Sequence, residues 1–153
     1  MVHHRAAVIG GATDPRVKDV DGNPMGATVQ WAFTTAAPGD TTPPTVTATV
    51  PAADATGISR TANITATFNG PMNASTINGT TVTLQTTGGT AIPAVVTVTT
   101  LSSGAMRAVL NPNGTLSSLT TYRVTVRGGS TGVKTPTGVD LAADRTWTFT
   151  TQL

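Results

Sequence analysis

The sequence Thr121-Tyr122-Arg123-Val124-Thr125-Val126 alternates apolar and polar side chains with a period of two. This period places Tyr122, Val124 and Val126 on one face of a strand, and the residues between them on the other. Tyr122 is the only tyrosine and opens the penultimate strand of the chain. In two-sheet sandwiches, a tyrosine at this point bonds through its hydroxyl to backbone a few residues upstream. The segment therefore predicts a half-buried strand tied to the loop before it.

Six more segments of this kind surround that strand, separated by Gly, Pro, Asn and Asp. They lie at 45–50, 64–68, 81–85, 94–99 and 105–110, and around Trp147 and Phe149. Gly88-Gly89 predicts a hairpin turn, and residues 71–76 predict a turn with one helical turn. Turn signals every 8–12 residues predict an all-β fold, a seven-stranded antiparallel β-sandwich of the immunoglobulin-like type. The aromatic side chains are expected to fill its centre, because the chain has no cysteine for a disulfide between the sheets.

The composition supports an all-β fold and excludes several other classes. The 153 residues include 34 threonines, seven aspartates, two lysines and no glutamate. Glu and Lys are good helix formers, whereas Thr and Val favour strands, so a helical bundle or a doubly wound α/β enzyme is excluded. A disulfide scaffold and a zinc–thiolate site are excluded because there is no cysteine.

The charge pattern predicts neither a nucleic-acid partner nor insertion into a membrane. The formal net charge is +2, and the seven arginines are spread along the chain without a cluster. Nucleic-acid binding needs several phosphates neutralised together. No apolar run approaches the ~18 residues of a membrane-spanning helix.

The chain also repeats itself. One segment contains, in order, Gly10-Gly11, Val17-Lys18 and a Trp-x-Phe-Thr-Thr motif whose last residue is Thr35. A later segment contains the same three features in the same order, as Gly128-Gly129, Val133-Lys134 and a Trp-x-Phe-Thr-Thr motif whose last residue is Thr151. This order of matches predicts a tandem array with a period near 117 residues. We therefore expect residues 1–36 to be the C-terminal third of a preceding repeat. Residues 37–44 are a Pro-rich, semi-rigid linker, and residues 45–151 form one complete sandwich.

Segments across the whole of 45–151 resemble the bacterial Ig-like repeat found in S-layer proteins and large surface proteins. They are Pro44-Thr45-Val46, residues 51–58, residues 64–72, Ser75-Thr76-Ile77-Asn78, Val82-Thr83-Leu84, residues 121–126 and Trp147-Thr148-Phe149-Thr150-Thr151. The resemblance implies an extracellular or cell-surface location and a spacer or adhesion module that is usually in tandem and has no catalytic activity. It implies neighbouring Ig-like repeats as partners and no defined ligand or cofactor.

Six residues are candidate calcium ligands. Asp19, Asp21 and Asn23 present oxygen side chains at alternate positions, as calcium loops do. The alternative is a Gly-Asn turn whose side chains bond their own backbone, because Gln30 stands where a calcium loop needs a bidentate carboxylate. A second hypothesis is an ion at the joint between repeats, bound by Asp40 with either Asp54 or Asp14.

Three functions from different classes remain open at this level. No nucleophile elbow, paired glutamates or phosphate-binding glycine loop occurs, so we expect no enzyme. The first function is a structural or adhesion spacer of a large bacterial secreted or surface protein. The second is a carbohydrate-binding accessory module of a secreted polysaccharide-active protein, which would need exposed aromatics. The third is an extracellular assembly in which residues 5–35 exchange strands with another copy of the chain, against the alternative of an arbitrary boundary in a longer protein.

Overall fold

The structure, a computed structural model, describes residues 40–153, and almost all regular structure in them is β. A single 3-10 turn, Ala74–Thr76, lies in the predicted turn at 71–76. The strands are β1 (Val46–Val50), β2 (Ala55–Ile58), β3 (Ile64–Phe68), β4 (Val82–Thr86), β5 (Ala91–Ile92), β6 (Ala94–Thr100), β7 (Met106–Pro112), β8 (Thr121–Val126) and β9 (Arg145–Thr151). Within this range, no helix is long and apolar enough to cross a membrane.

The strands form two sheets that pack face to face. The first has the order β1-β3-β7-β6, and the second has the order β2-β9-β8-β4-β5. Alternate residues of β3, β7, β8 and β9 point into the space between them, which produces the period of two in the sequence. The predicted Ig-like β-sandwich is therefore confirmed.

The described part of the chain contains nine strands, so the predicted count of seven is wrong. The two additional strands, β2 and β5, are short and lie where the chain passes from one sheet to the other. Ile92 pairs with Leu84 in the second sheet, and Ala94 pairs with Pro112 in the first. Pro93 separates the two strands, because proline has no N–H to donate to a sheet. A two-residue strand carries too little alternation to be recognised from sequence.

The prediction that all strands pair in antiparallel orientation is also wrong. β2 pairs with β9 in parallel, with Ala55 opposite Phe149 and Ile58 opposite Thr151. β1 belongs to the first sheet, and the chain crosses to the second over residues 51–54 before β2 begins. After this crossing, β2 continues in the direction of β1. Because β9 runs in the same direction, β2 and β9 pair in parallel.

The core contains the predicted aromatics. Phe68, Tyr122, Trp147 and Phe149 are all buried, and the rings of Tyr122 and Phe149 stack with their centroids 5.7 Å apart. The predicted tyrosine contact is present, since the Ser117 N–H donates to Tyr122 Oη at 2.9 Å. Trp31 and Phe33, the aromatics of the first Trp-x-Phe-Thr-Thr segment, lie outside the described residues.

The repeated Gly-Gly pair has a structural reason in the connection from β8 to β9. A Cβ on Gly128 would lie 2.4 Å from the carbonyl carbon of Ala143, so no side chain fits. Gly129 adopts φ +70°, a conformation that other residues rarely adopt. Each glycine is therefore required, one for space and the other for its backbone angle.

The domain boundaries remain a prediction, because residues 1–36 and most of the predicted linker lie outside the described range. Of the linker residues that are described, Pro44 is buried. The Thr45 N–H donates to Asn69 Oδ1 at 3.0 Å, and the Asn69 N–H donates to the Thr45 carbonyl at 3.0 Å. The chain is therefore fixed to the sandwich before β1 begins.

Candidate functional site

The pairing of β2 with β9 joins the early part of the domain to its last strand. The Asp54 N–H donates to the Thr148 carbonyl at 2.8 Å, and Thr148 Oγ1 donates to Asp54 Oδ1 at 2.7 Å. Asp54 adopts φ +60°, the left-handed region that Asp tolerates better than most residues. One residue thus binds the same partner through both its backbone and its side chain.

A second group of hydrogen bonds holds the far end of β9. Thr151 is buried, and its Oγ1 donates to the Ser117 carbonyl at 2.6 Å and accepts from the Thr120 N–H at 3.0 Å. The Gln152 N–H donates to the Ile58 carbonyl at 2.9 Å. The Ser117 N–H is the donor to Tyr122 Oη, so the tyrosine contact and the last strand share one loop.

The described chain enters and leaves the sandwich at opposite ends. At the entry, Thr137 Oγ1 donates to the Asp40 carbonyl at 2.8 Å, and Thr137 belongs to the connection that follows β8. At the exit, the Leu119 N–H donates to the Gln152 carbonyl at 3.1 Å, and Leu119 precedes β8. Because β8 runs between these two contacts, the sandwich separates its two ends by about the length of a strand.

The Asp40 carboxylate is held by local hydrogen bonds at the entry. The Thr42 N–H donates to Asp40 Oδ1 at 2.8 Å. This backbone bond, aided by the Thr42 side chain, lowers the pKa of Asp40 below its ordinary value of 3.8. Asp40 lies on the rim of a cleft of about 450 Å³ that is also lined by Asn69, Pro71 and Pro136.

The structure does not bring together the two candidate calcium ligands that it describes. Asp40 lines the entry cleft, whereas Asp54 lines a separate groove beside β9, and the two carboxylates have different hydrogen-bond partners. Residues 40–153 contain no group of three or more His, Cys, Asp or Glu side chains placed to hold a metal ion. Asp14, Asp19, Asp21 and Asn23 lie outside the described residues, so calcium binding stays a prediction.

The aromatic side chains bear on the carbohydrate-binding hypothesis. All four aromatics between residues 40 and 153 are core residues, and each is at most 4% exposed. Stacking on a sugar ring requires an exposed aromatic face. The described surface therefore offers no aromatic platform for a sugar.

Sequence reasoning missed the threonines that tie β9 to the start of β2 and to the loop before β8. Thr148 and Thr151 are among many threonines, and nothing in their immediate sequence distinguishes them. The available signal was the repeat, because Thr151 is matched by Thr35 in the same Trp-x-Phe-Thr-Thr ending. The burial of Thr151, at 1% exposure, explains why a hydroxyl is suited to this position: it satisfies two backbone groups of the loop before β8.

Solved structures with the same fold include parts of two bacterial proteins. The N-terminal part of the bacterial S-layer protein SbsC is 22% identical, with a TM-score of 0.52, and the match covers 72% of this chain and 24% of that chain. The methionine-rich copper resistance protein PcoC from Escherichia coli is 19% identical, with a TM-score of 0.56, and the match covers 72% of this chain and 100% of that chain. At these identities the likeness shows the fold alone, and the chain spans about a quarter of the SbsC fragment.

Comparison with families gives the closer assignment. None of the curated proteins matches this sequence. Residues 40–151, which include all nine strands, match the bacterial Ig-like domain family. The chain therefore belongs to the family of bacterial Ig-like domains, of the kind that occurs in S-layer proteins.

Proposed function

We propose that this chain is a non-catalytic spacer module of a large bacterial secreted or cell-surface protein, placed in series with neighbouring Ig-like repeats. The observation that carries the proposal is the placement of entry and exit at opposite ends of the sandwich, with β2 and β9 paired in parallel. Opposite ends let one module extend the next, as a stalk requires. Family membership and the fold shared with an S-layer protein support the surface location.

The strand directions explain how such a module resists pulling. β1 and β2 both run from the entry end towards the exit end, and β9 runs the same way. Tension draws β1 and β2 towards the entry and β9 towards the exit, so the force lies along the strands. The hydrogen bonds of β1 with β3 and of β2 with β9 are then loaded together in shear. Bonds loaded together must break together, which slows forced unfolding.

Single-molecule force spectroscopy tests this proposal. The full chain is pulled between handles at its two termini, and Thr148→Val is compared with the original sequence. Removing the hydroxyl deletes the bond from Thr148 Oγ1 to Asp54 Oδ1, so we expect the sandwich to unfold at a lower force. Thr146→Val is the matched control, because Thr146 lies on the same strand and face and is exposed. Equal unfolding forces for the two variants would contradict the role of this contact.

Pulling direction provides the second half of the test. Handles at the C-terminus and on the β4–β5 turn load the second sheet in a different direction from handles at the two termini. We expect the sandwich to resist more force between its termini, since only that direction shears β2 against β9. An unfolding force between the termini that is no higher than in the other direction would contradict the spacer function.

Two other predictions depend wholly or partly on residues 1–39 and remain proposals. Strand exchange through residues 5–35 predicts that a chain lacking residues 1–38 changes its oligomeric state in light scattering, and an unchanged state contradicts it. Calcium binding predicts that thermal melts in calcium and in chelator differ by several degrees, and superimposable curves contradict it. Neither result alters the proposal for residues 40–153.

A further inference from the structure

The four edge strands of the two sheets differ in how well they are protected from pairing. β1 has an irregular register between Val46 and Ala48, β2 has an irregular register and Gly57 at φ +67°, and β5 has only two residues. β6 has seven residues in unbroken register with β7. Irregular or very short edges are a known protection against unwanted pairing, and β6 is neither irregular nor short.

The side chains of β6 leave its edge unprotected as well. Its sequence is Ala94-Val95-Val96-Thr97-Val98-Thr99-Thr100, without a charge or a proline. Val95 is 55% exposed, and Thr97 and Thr99 are exposed on the same face. The nearest charge on the adjacent strand is that of Arg107, whose Nε donates to Thr67 Oγ1 on β3, away from β6. Among residues 40–153, β6 pairs only with β7, so one row of its backbone groups has no strand partner.

We propose that β6 is a self-association surface, on which β6 of a second copy of this chain pairs in antiparallel orientation. Full overlap of the two seven-residue strands places the two-fold axis at Thr97. The outward-facing pairs are then Thr97 with Thr97 and Val95 with Thr99, and pairs of β-branched residues stabilise neighbouring strands. The first sheets of the two copies become one sheet of eight strands, joined at an isologous interface.

A second copy fits this edge better than a charged partner does. A strand without charges offers no complement to a basic or acidic peptide, and against itself it has no like charges to repel. An apolar cleft of about 330 Å³ opens at the start of β6, where Ala94 lines it together with Ile92, Pro93 and Leu110. A copy that continues the first sheet would lie next to this cleft and shield it from water, which adds hydrophobic burial to the backbone hydrogen bonds.

This association goes beyond the spacer function. It would join neighbouring stalks side by side, whereas the force-bearing contacts act along one stalk. The two proposals fail independently, since a monomeric chain can still resist tension and a dimeric chain can still unfold at low force.

Sedimentation of the full chain from about 10 μM to about 1 mM covers the range expected for an interface of this small size. We expect a reversible monomer–dimer equilibrium. Thr97→Lys places two ammonium groups opposite each other at the axis and should weaken dimerisation about tenfold. Thr47→Lys is the matched control, because Thr47 is exposed on β1 at the opposite edge of the same sheet. A chain that stays monomeric throughout, or one weakened equally by both variants, overturns the proposal.

A cross-link locates the contact directly, since the chain has no cysteine of its own. In the antiparallel pair, the Thr97→Cys thiols of two copies lie opposite each other within disulfide distance. Oxidation should give a covalent dimer for Thr97→Cys and little for Thr47→Cys. Equal cross-linking of the two variants would overturn the proposal. A monomer whose thiol at position 97 resists labelling would overturn it too, because another part of the same chain would then cover β6.

Discussion

Replacing Tyr122 by Phe isolates one hydrogen bond from the packing around it. The ring, its burial at 1% exposure and its stacking on Phe149 are all kept, and only the hydroxyl that accepts the Ser117 N–H at 2.9 Å is lost. A protein N–H left without its partner typically costs about 1–3 kcal/mol. Ser117 itself is exposed, so water can replace part of the bond, and we expect a loss of about 1–2 kcal/mol.

Urea unfolding of the full chain, followed by tryptophan fluorescence and circular dichroism, measures this loss. A thermal melt of the same variant should show a drop in Tm of roughly 4–10 °C for a domain of this size. Thr61→Val is the control, because the contact between Ser59 Oγ and Thr61 Oγ1 is exposed and its removal should cost less than about 0.5 kcal/mol. Amide hydrogen exchange at Ser117 should also become faster in Tyr122→Phe.

The two measurements together make the reasoning refutable. If Tyr122→Phe is no less stable than Thr61→Val, the hydroxyl does not hold the loop before β8. If stability falls but exchange at Ser117 is unchanged, the cost arises from packing and not from this bond.

Gly128→Ala should destabilise the domain by about 2–3 kcal/mol, because its Cβ would meet backbone atoms of Ala143. Gly79→Ala is the control, since a Cβ there has open space and the variant should be neutral or stabilising. Equal urea midpoints for the two variants would refute this prediction. Asp40 has a pKa below 3.8, so its contribution to stability is present above that pH and is lost as the pH falls through the lower folded value. Asp40→Asn should therefore flatten the fall in urea midpoint below pH 4, and an unchanged acid profile would show that the bond from Thr42 does not stabilise the fold.

The sequence was informative wherever a structural requirement repeats locally. Tyr122, Val124 and Val126 are buried because alternate residues of a strand share a face, and that pattern is complete within six residues. The turn at Gly88-Gly89 is also local, with Gly89 at φ +94° and the Gly89 N–H donating to the Thr86 carbonyl. Gly128 and Gly129 could be recognised as important because the sequence also contains Gly10-Gly11 at the matching position, but the sequence did not show why each glycine is needed.

The candidate calcium ligands show where such inference ends. Asp40 and Asp54 were grouped because both are acidic and lie near the predicted joint. The structure gives them different partners, since Asp54 binds Thr148, which lies 94 positions later in the chain. No local pattern encodes a contact over that separation.

By itself, the sequence determined the class of fold, the inward face of most strands, the tyrosine contact and the repeat. The tertiary structure alone decided where the chain changes sheets, that β2 meets β9 in parallel, and which threonines are structural. It also decided which sheet edge has no strand partner among residues 40–153. The reason is physical: the side-chain period of a strand is a property of successive residues. The choice of neighbouring strand depends on how two sheets of limited width close around one core.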